Sequence, residues 1–245
     1  MSGNDSENAV KTSVAMEGMI YNANNVLDQA LSPDTEGIPR GVFQNCKGIV
    51  LLSVIEAGFI LSGNVGTGVI IAHNTTTNTA TNTTTESWSP PVALALGGIG
   101  CGIVAGAEKK DLILFAMDEV TFDAISGDIQ YKIGGQASAT AGPMGREEEI
   151  ILANVAGKTM GRTFSYVFSK GVFGGMSVES AILSVRAKEN EAFYGSSSES
   201  VGEVNTKDIL EGRVDFPKGK GIEELHRKLD LLRAGKVVVP AVAAS

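Results

Sequence analysis

Glycine recurs at every second position in one apolar stretch of the chain, at Gly98, Gly100 and Gly102. Side chains alternate between the two faces of a β-strand, so these glycines leave one face of such a strand bare. A bare face lets another element approach the backbone closely, as in a tightly packed sheet. The chain contains 30 Gly in 245 residues, well above the ordinary share of about 7%, so glycine strongly constrains this fold.

The same spacing is also found in dinucleotide-binding loops, where glycines precede a helix whose N terminus holds a pyrophosphate. Here the sequence runs on through Val104 and Ala105 into another strand-like stretch, and no helical pattern follows. The run 157–159 resembles the end of a phosphate-binding P-loop, but the first glycine of that motif falls at Leu152. We therefore predict a structural role for the alternating glycines.

Helical patterns lie near the two ends of the chain, and strand patterns lie between them. Apolar residues recur at helical steps over residues 8–31 and 222–232. Strand-like stretches are apolar and partly β-branched, and they cover 48–55, 58–61, 68–72, 92–96, 99–107, 112–117, 130–141, 164–168 and 172–178. This order predicts an α+β domain whose curved, mainly antiparallel, barrel-like β-sheet is flanked by N- and C-terminal amphipathic helices.

Shorter features complete the predicted domain, which spans residues 8–235 between flexible tails at 1–7 and 236–245. A short helix at 118–126 ends at Gly127, and the strands at 164–168 and 172–178 turn at Lys170-Gly171. The Thr/Asn-rich stretch 74–85 has nothing to bury and predicts a flexible loop insertion. The three acids at 147–149 predict a solvated first helical turn or loop.

Charge and composition exclude several functions. The chain has 28 acidic and 20 basic residues and a net charge of −8, the wrong sign for capture of nucleic acid. It lacks a membrane-spanning run and a signal peptide pattern, so we expect a cytoplasmic protein. Two cysteines and two histidines suggest no metal or other cofactor; we expect His73 and His226 at the surface, and Cys46 and Cys101 as buried, inert thiols.

Nine short motifs then occur in one order along the chain, at 46–49, 57–59, 66–69, 87–91, 98–102, 106–108, 142–146, 166–175 and 190–195. On these motifs the chain resembles a stand-alone, Ysc84-like SYLF domain from residue 10 to 233. Ten motif residues are expected to be structural: Trp88, Gly98, Gly100, Gly102, Gly142, Pro143, Gly145, Arg146, Gly171 and Tyr194. We expect Trp88 to pack into the glycine face of 98–106, and the 142–145 stretch to form a turn.

The resemblance implies a non-enzymatic, peripheral membrane module. It would bind phosphoinositide-containing membranes through basic residues and an inserted amphipathic helix, in endocytosis or membrane–actin coupling, with actin or endocytic adaptors as further partners. In the family, lipid binding is associated with the N-terminal amphipathic segment, here residues 8–31. Basic residues in or just after that segment, and in the basic C-terminal segment, are the candidate lipid contacts: Lys11, Arg40, Lys47, Lys218, Lys220, Arg227 and Lys228.

Two other classes of function stay open at this point. The N-terminal helix carries Lys11 alone against several acidic residues, which favours a cytosolic protein-interaction module without lipid binding. A hydrolase would need His73 or His226 beside a serine or cysteine in a cleft.

Overall fold

A computed structural model describes residues 14–32, 38–79, 81–127, 131–139, 146–149, 152–155, 159–195, 204–215 and 217–235. The helices within these ranges are α1 (Met16–Leu31), α2 (Arg40–Asn45), α3 (Glu119–Ser126), α4 (Ala187–Tyr194), α5 (Thr206–Leu210) and α6 (Ile222–Arg233). The strands are β1 (Gly48–Asn78), β2 (Thr83–Trp88), β3 (Val92–Ala116), β4 (Tyr131–Ala139), β5 (Arg146–Glu149), β6 (Leu152–Val155) and β7 (Thr159–Val185).

These strands form one antiparallel arrangement with the order β2-β1-β3-β7-β4, and β5 and β6 also pair with β7. In the sequence, α1 and α2 precede the strands, α4, α5 and α6 follow them, and α3 lies between β3 and β4. The predicted α+β class with a curved, mainly antiparallel sheet is therefore confirmed. The alternating glycines of residues 98–102 lie within β3, as predicted, and not before a helix.

Three strands are much longer than the sequence pattern predicted. β1, β3 and β7 contain 31, 25 and 27 residues, where the apolar pattern predicted separate short pieces. The predicted turn at Lys170-Gly171 is wrong, because β7 continues through it and pairs Lys170 with Lys109 of β3. Small and polar residues interrupt the apolar pattern without ending the strands.

β1 curls so strongly that its second half lies over its first half. A Cβ atom at Gly68 would lie 1.9 Å from the carbonyl oxygen of Leu51, so only glycine fits there. The backbone N–H of His73 donates a hydrogen bond to the carbonyl oxygen of Lys47 over 2.9 Å. Part of the high glycine content is thus explained by close approach within this curled strand.

One end of the sheet is covered by α1, α2 and α6, and we call it the helical end. Here residues 49–52 of β1 and 112–116 of β3 are buried on both faces. Phe115 of β3 packs edge-on against Phe43 of α2 and Tyr166 of β7, with ring centroids 4.8 Å and 6.0 Å apart. The predicted apolar side of α6 is buried as well, at Ile222, Leu225, Leu229 and Leu232.

Two local predictions are corrected by the structure. The Thr/Asn-rich stretch forms a two-stranded ribbon in which the end of β1 pairs with β2 and Thr77 Oγ1 lies 3.4 Å from Thr84 Oγ1. Threonine is β-branched and favours strands, an effect that the composition argument left out. The acids at 147–149 belong to strand β5 and not to a helical turn.

Helix α3 and its end at Gly127 match the prediction. The predicted turn at 142–145 lies outside the described residues.

Candidate functional site

The N-terminal helix is part of the core. The apolar side chains of α1, including Met19, Val26 and Leu27, are almost completely buried against β1 and α6. The sequence predicted that this amphipathic helix inserts into a membrane, but its apolar face is already occupied by the protein. Insertion by α1 would therefore require the helix to leave the sheet and expose this core.

Lys228 anchors α1 to α6. Its side chain is 8% exposed, and its Nζ lies 2.7 Å from Asp28 Oδ1 and donates to the backbone carbonyl of Asn24 over 3.2 Å. The amide of Asn24 donates in turn to the carbonyl of Gly221 over 3.0 Å. The prediction that Lys228 is a lipid contact is therefore wrong for this structure, because a buried and paired ammonium group does not face a membrane surface.

Three other predicted lipid contacts are exposed but paired with carboxylates. Lys220 Nζ lies 3.1 Å from Glu17 Oε1 on α1, and Lys47 Nζ lies 2.8 Å from Glu119 Oε1. The pKa of Glu17 is lowered mainly by a backbone hydrogen bond, with a smaller contribution from Lys220. An anionic headgroup would have to compete with these partners.

Arg227 is paired in the same way, with Glu224 on the preceding turn of α6. Arg227 Nε and Nη2 donate to the two carboxylate oxygens of Glu224 over 2.7 Å and 2.6 Å. These bonds lower the pKa of Glu224. The two side chains therefore form a bidentate ion pair on the protein surface.

Arg40 and Lys218 are exposed, and neither makes an ion pair with another residue that the structure describes. Arg40 Nε donates to the backbone carbonyl of Arg233 at the C-terminal end of α6 over 3.0 Å, whereas Lys218 precedes the N-terminal end of that helix. The helix has 12 residues and is therefore about 18 Å long. The predicted basic residues thus do not form one cluster, and Lys11 lies outside the described residues.

Trp88 links the ribbon to α6. Its indole stacks on the ring of His73 with a centroid distance of 4.6 Å, and its Nε1 donates to Asp230 Oδ1 over 3.1 Å. The expected packing of Trp88 into the glycine face of β3 is therefore wrong. Nearby, Arg233 bonds to both Glu86 and Asp230, so the cleft beside Arg40 carries balanced charges.

The residues that a hydrolase would need have structural contacts. His73 is buried, with Nδ1 3.1 Å from the carbonyl oxygen of Cys46, and His226 Nε2 lies 2.9 Å from that of Ser89. The expectation of a surface histidine is therefore wrong for His73, whereas His226 is half-buried. Burial is the largest influence on His226 and lowers its pKa, while burial raises the pKa of Cys46 to about 12. Cys46 is the inert buried thiol that the sequence predicted.

The side chain of Tyr194 is buried in the structure. Its hydroxyl group is buried and donates to the carbonyl oxygen of Pro91, and burial raises its pKa.

In the described part of the chain, no group of three or more His, Cys, Asp and Glu side chains is arranged to hold a metal ion.

Within the described ranges, none of the helices has the length and apolar character needed to cross a bilayer.

Sequence reasoning missed a set of exposed apolar residues at the far, curled part of the sheet. Ile55, Phe59, Leu61 and Val65 of β1 and Ile99 of β3 are each 59–76% exposed. We call these five residues the apolar tip. The period-two pattern of residues 55–65 is visible in the sequence, but a pattern alone does not tell which face of a strand is covered.

Comparison with known proteins identifies relatives of the chain. A family model described as Ysc84, Las17-binding protein actin regulator, matches residues 97–232. Protein YSC84 of Saccharomyces cerevisiae is 34% identical over 180 residues, which cover 74% of this chain and 35% of that protein. LAS seventeen-binding protein 3 of Saccharomyces cerevisiae is 32% identical over 193 residues, which cover 79% of this chain and 38% of that protein.

The chain is also similar to a human protein. SH3 domain-containing YSC84-like protein 1 of Homo sapiens is 31% identical over 193 residues, which cover 79% of this chain and 51% of that protein. The chain thus spans between about a third and a half of the length of these relatives, and their names describe longer proteins.

Proposed function

Because this chain belongs to the Ysc84 family, as its resemblance to Ysc84-like SYLF domains predicted, we propose that it is a non-catalytic binding module of the actin machinery. The family description names an actin regulator that binds Las17, and one relative is named for binding Las17. The contacts of the two histidines and Cys46 support binding over catalysis, since each of these side chains is engaged in packing or in a hydrogen bond.

The observation that carries this proposal is the paired charge on the exposed side of the helical end. Glu17 with Lys220, and Glu224 with Arg227, present both signs of charge in fixed positions. A protein partner with complementary charges can bind such a surface without breaking the pairs, whereas an anionic headgroup meets a carboxylate beside each ammonium or guanidinium group. The helical end is therefore the proposed protein-binding surface.

Co-sedimentation of the full chain with purified actin filaments tests the proposal. We expect the Lys220→Glu, Arg227→Glu double variant to bind filaments at least several-fold more weakly, because it replaces two attractive charges with repulsive ones. Lys207→Glu on α5 is the matched control, because Lys207 is exposed but lies outside the helical end. If the wild-type chain and the double variant bind filaments equally, the helical end is not the binding surface. If neither binds, actin filaments are not the partner.

A second function, binding of anionic lipid headgroups, is favoured by Arg40 and Lys218, which are exposed and carry no ion pair within the described residues. A basic residue near an anionic surface contributes about 1 kcal/mol, so each reversal to glutamate is expected to weaken binding to phosphoinositide vesicles by about fivefold or more. The effect must shrink as salt rises, because exposed charges are screened. If Arg40→Glu and Lys218→Glu bind the vesicles as tightly as the wild-type chain does, these two residues do not contact the headgroups.

A further inference from the structure

The alternation of β1 is reversed at the curled part of the sheet. Residues at odd positions from 55 to 65 are exposed and mostly apolar, while the even positions Glu56, Ser62 and Asn64 are at most 5% exposed. The usual half-covered antiparallel strand buries its apolar face and exposes its polar face. The same reversal continues into β3, where Ile99 is 76% exposed and Gly100 is buried.

The polar interior has its own internal partners. Glu56 and Glu108 are directly opposite in the β1–β3 register, and Lys110 Nζ lies 2.7 Å from Glu56 Oε2 and 3.0 Å from Glu108 Oε1. All three side chains are at most 15% exposed. The buried charges therefore fix which face of β1 points inward, and the apolar face is left outside.

The outer surface is convex. A Cβ atom at Gly58 would lie 2.5 Å from the carbonyl oxygen of Leu61, so the chain bends sharply between these residues. The register agrees, because Phe59 pairs with Ala105 and Leu61 with Cys101, so that one residue of β1 lies opposite three of β3. Phe59 and Leu61, which are 75% and 69% exposed, lie on either side of this bend.

The charge of this face also differs from that of the whole chain. Among its described side chains on β1 and β3, the charged one is Lys109, which is the register partner of Ile55. Lys109 Nζ lies 3.4 Å from Asp111 Oδ1, which offsets its charge. In a chain of net charge −8, the described outer side chains of residues 55–65 and 97–109 therefore include no exposed carboxylate.

We propose that the apolar tip is a membrane-contact surface, which inserts its apolar side chains at the boundary between headgroups and acyl chains of a bilayer while α1 stays packed on the sheet. This inference rests on the membrane function proposed above but assigns it to a different surface. Apolar side chains gain free energy on leaving water for acyl chains, and a face without exposed carboxylates among its described side chains is not repelled by an anionic leaflet.

The convex shape favours a bilayer over a second copy of the chain. Two convex surfaces touch over a small area, whereas a stable protein interface buries about 800 Å² on each partner. Lipid chains are fluid and close around a protruding group, so the curvature that weakens a dimer permits insertion.

Vesicle co-sedimentation of the full chain tests the proposal, with phosphatidylcholine vesicles, with and without phosphatidylserine, at low and high salt. The test variant is Phe59→Ser with Leu61→Ser. The matched control is Tyr21→Ser with Val120→Ser, which removes exposed apolar side chains from α1 and α3. We expect the tip variant to lose at least about tenfold in binding at both salt concentrations, and the control to bind like the wild-type chain.

A fluorescent probe supplies a second readout in case the tip variant folds poorly. An environment-sensitive dye attached at Leu61→Cys should brighten on addition of vesicles, and the same dye at Tyr21→Cys should not. Equal binding of the wild-type chain and the tip variant would overturn the proposal. Binding that depends on Arg40 and Lys218 but not on the tip would support the headgroup contacts alone.

Two further outcomes separate this inference from the function on which it rests. If the wild-type chain binds no vesicle, the membrane function itself fails. If the wild-type chain is a dimer without lipid and the tip variant is a monomer, the tip is an interface between copies, and the membrane proposal is overturned.

Discussion

The same strands pass through two very different environments, the helical end and the apolar tip. At the helical end, Leu51 of β1 and Phe115 of β3 are fully buried among helices and neighbouring strands. At the tip, the same β1 exposes Phe59 and buries Glu56. The difference shows that the environment of a long strand is set by what covers each section, and not by its apolar content.

The two regions also differ in what holds them together. Aromatic and aliphatic packing stabilises the helical end, whereas the inside of the tip contains the ion pairs of Lys110 with Glu56 and Glu108. Desolvation offsets much of the attraction in a buried ion pair, so such pairs stabilise a fold less than apolar packing of similar volume. We therefore expect the tip to open more readily than the helical end.

The largest expected effect is a difference in stability between two phenylalanine substitutions, one in each region. Phe115→Ala should lower the free energy of unfolding by about 3 to 5 kcal/mol, because it leaves a cavity against Phe43 and Tyr166. Phe59→Ala should change it by less than about 0.5 kcal/mol, because its side chain is 75% exposed. Denaturant unfolding measures both, and equal losses would contradict the assignment of the two regions.

A comparison of two glycines tests the curl of β1. Gly68→Ala should cost about 1 to 3 kcal/mol, since its new Cβ atom would overlap the carbonyl oxygen of Leu51. Gly63→Ala at the tip is the control, because no heavy atom lies within 4 Å of a Cβ atom there. If the two variants unfold at the same denaturant concentration, the second half of β1 does not lie over the first.

A pH titration tests the helical end through His226. Burial lowers its pKa below the ordinary value of 6.5, so the unfolded chain takes up a proton at a higher pH than the folded chain. Its contribution to stability is therefore complete above pH 6.5 and is lost as the pH falls toward the lower folded pKa. His226→Gln should remove this part of the pH dependence, and Phe59→Ala should keep it.

The outcome that would count against this role of His226 is a wild-type stability that does not change between neutral pH and the region below 6.5. Thermal unfolding at a series of pH values provides the measurement.

The smallest expected effect concerns the contact between α1 and the turn before α6. Glu17 and Lys220 are about half exposed, so a double-mutant cycle to alanine should give a coupling of about 0.2 to 1 kcal/mol that falls with added salt. A coupling of several kcal/mol would mean that charge, rather than apolar packing, holds α1 on the sheet.

The fold class and both terminal helices followed from the sequence, because helical periodicity and apolar runs are local properties. Strand continuity did not, since Gly58 and Glu56 look like interruptions in the sequence but face the inside of a curl in the structure. The turn predicted at Lys170-Gly171 failed for a related reason, because pairing with β3 carries the strand through it.

The candidate site was less predictable than the fold. Lys228 looked like a surface cation, but its partner Asp28 is 200 residues away in the chain, and only the packing of α6 on α1 joins them. The contact of Trp88 with Asp230 is also long-range, because the two residues are 142 positions apart in the sequence. The apolar tip was visible as an alternating pattern, but its exposure depends on the ion pairs that fix the opposite face inward.

Hydrogen–deuterium exchange of the full chain, with and without phosphatidylcholine–phosphatidylserine vesicles, tests the central claim most directly. Amide exchange reports local opening, so it follows α1 and the tip in one experiment. The account predicts slower exchange over residues 55–65 and around Ile99 on addition of vesicles, with no change in α1. Faster exchange throughout α1, or protection confined to α1, would contradict it and would make the N-terminal helix the membrane-binding element.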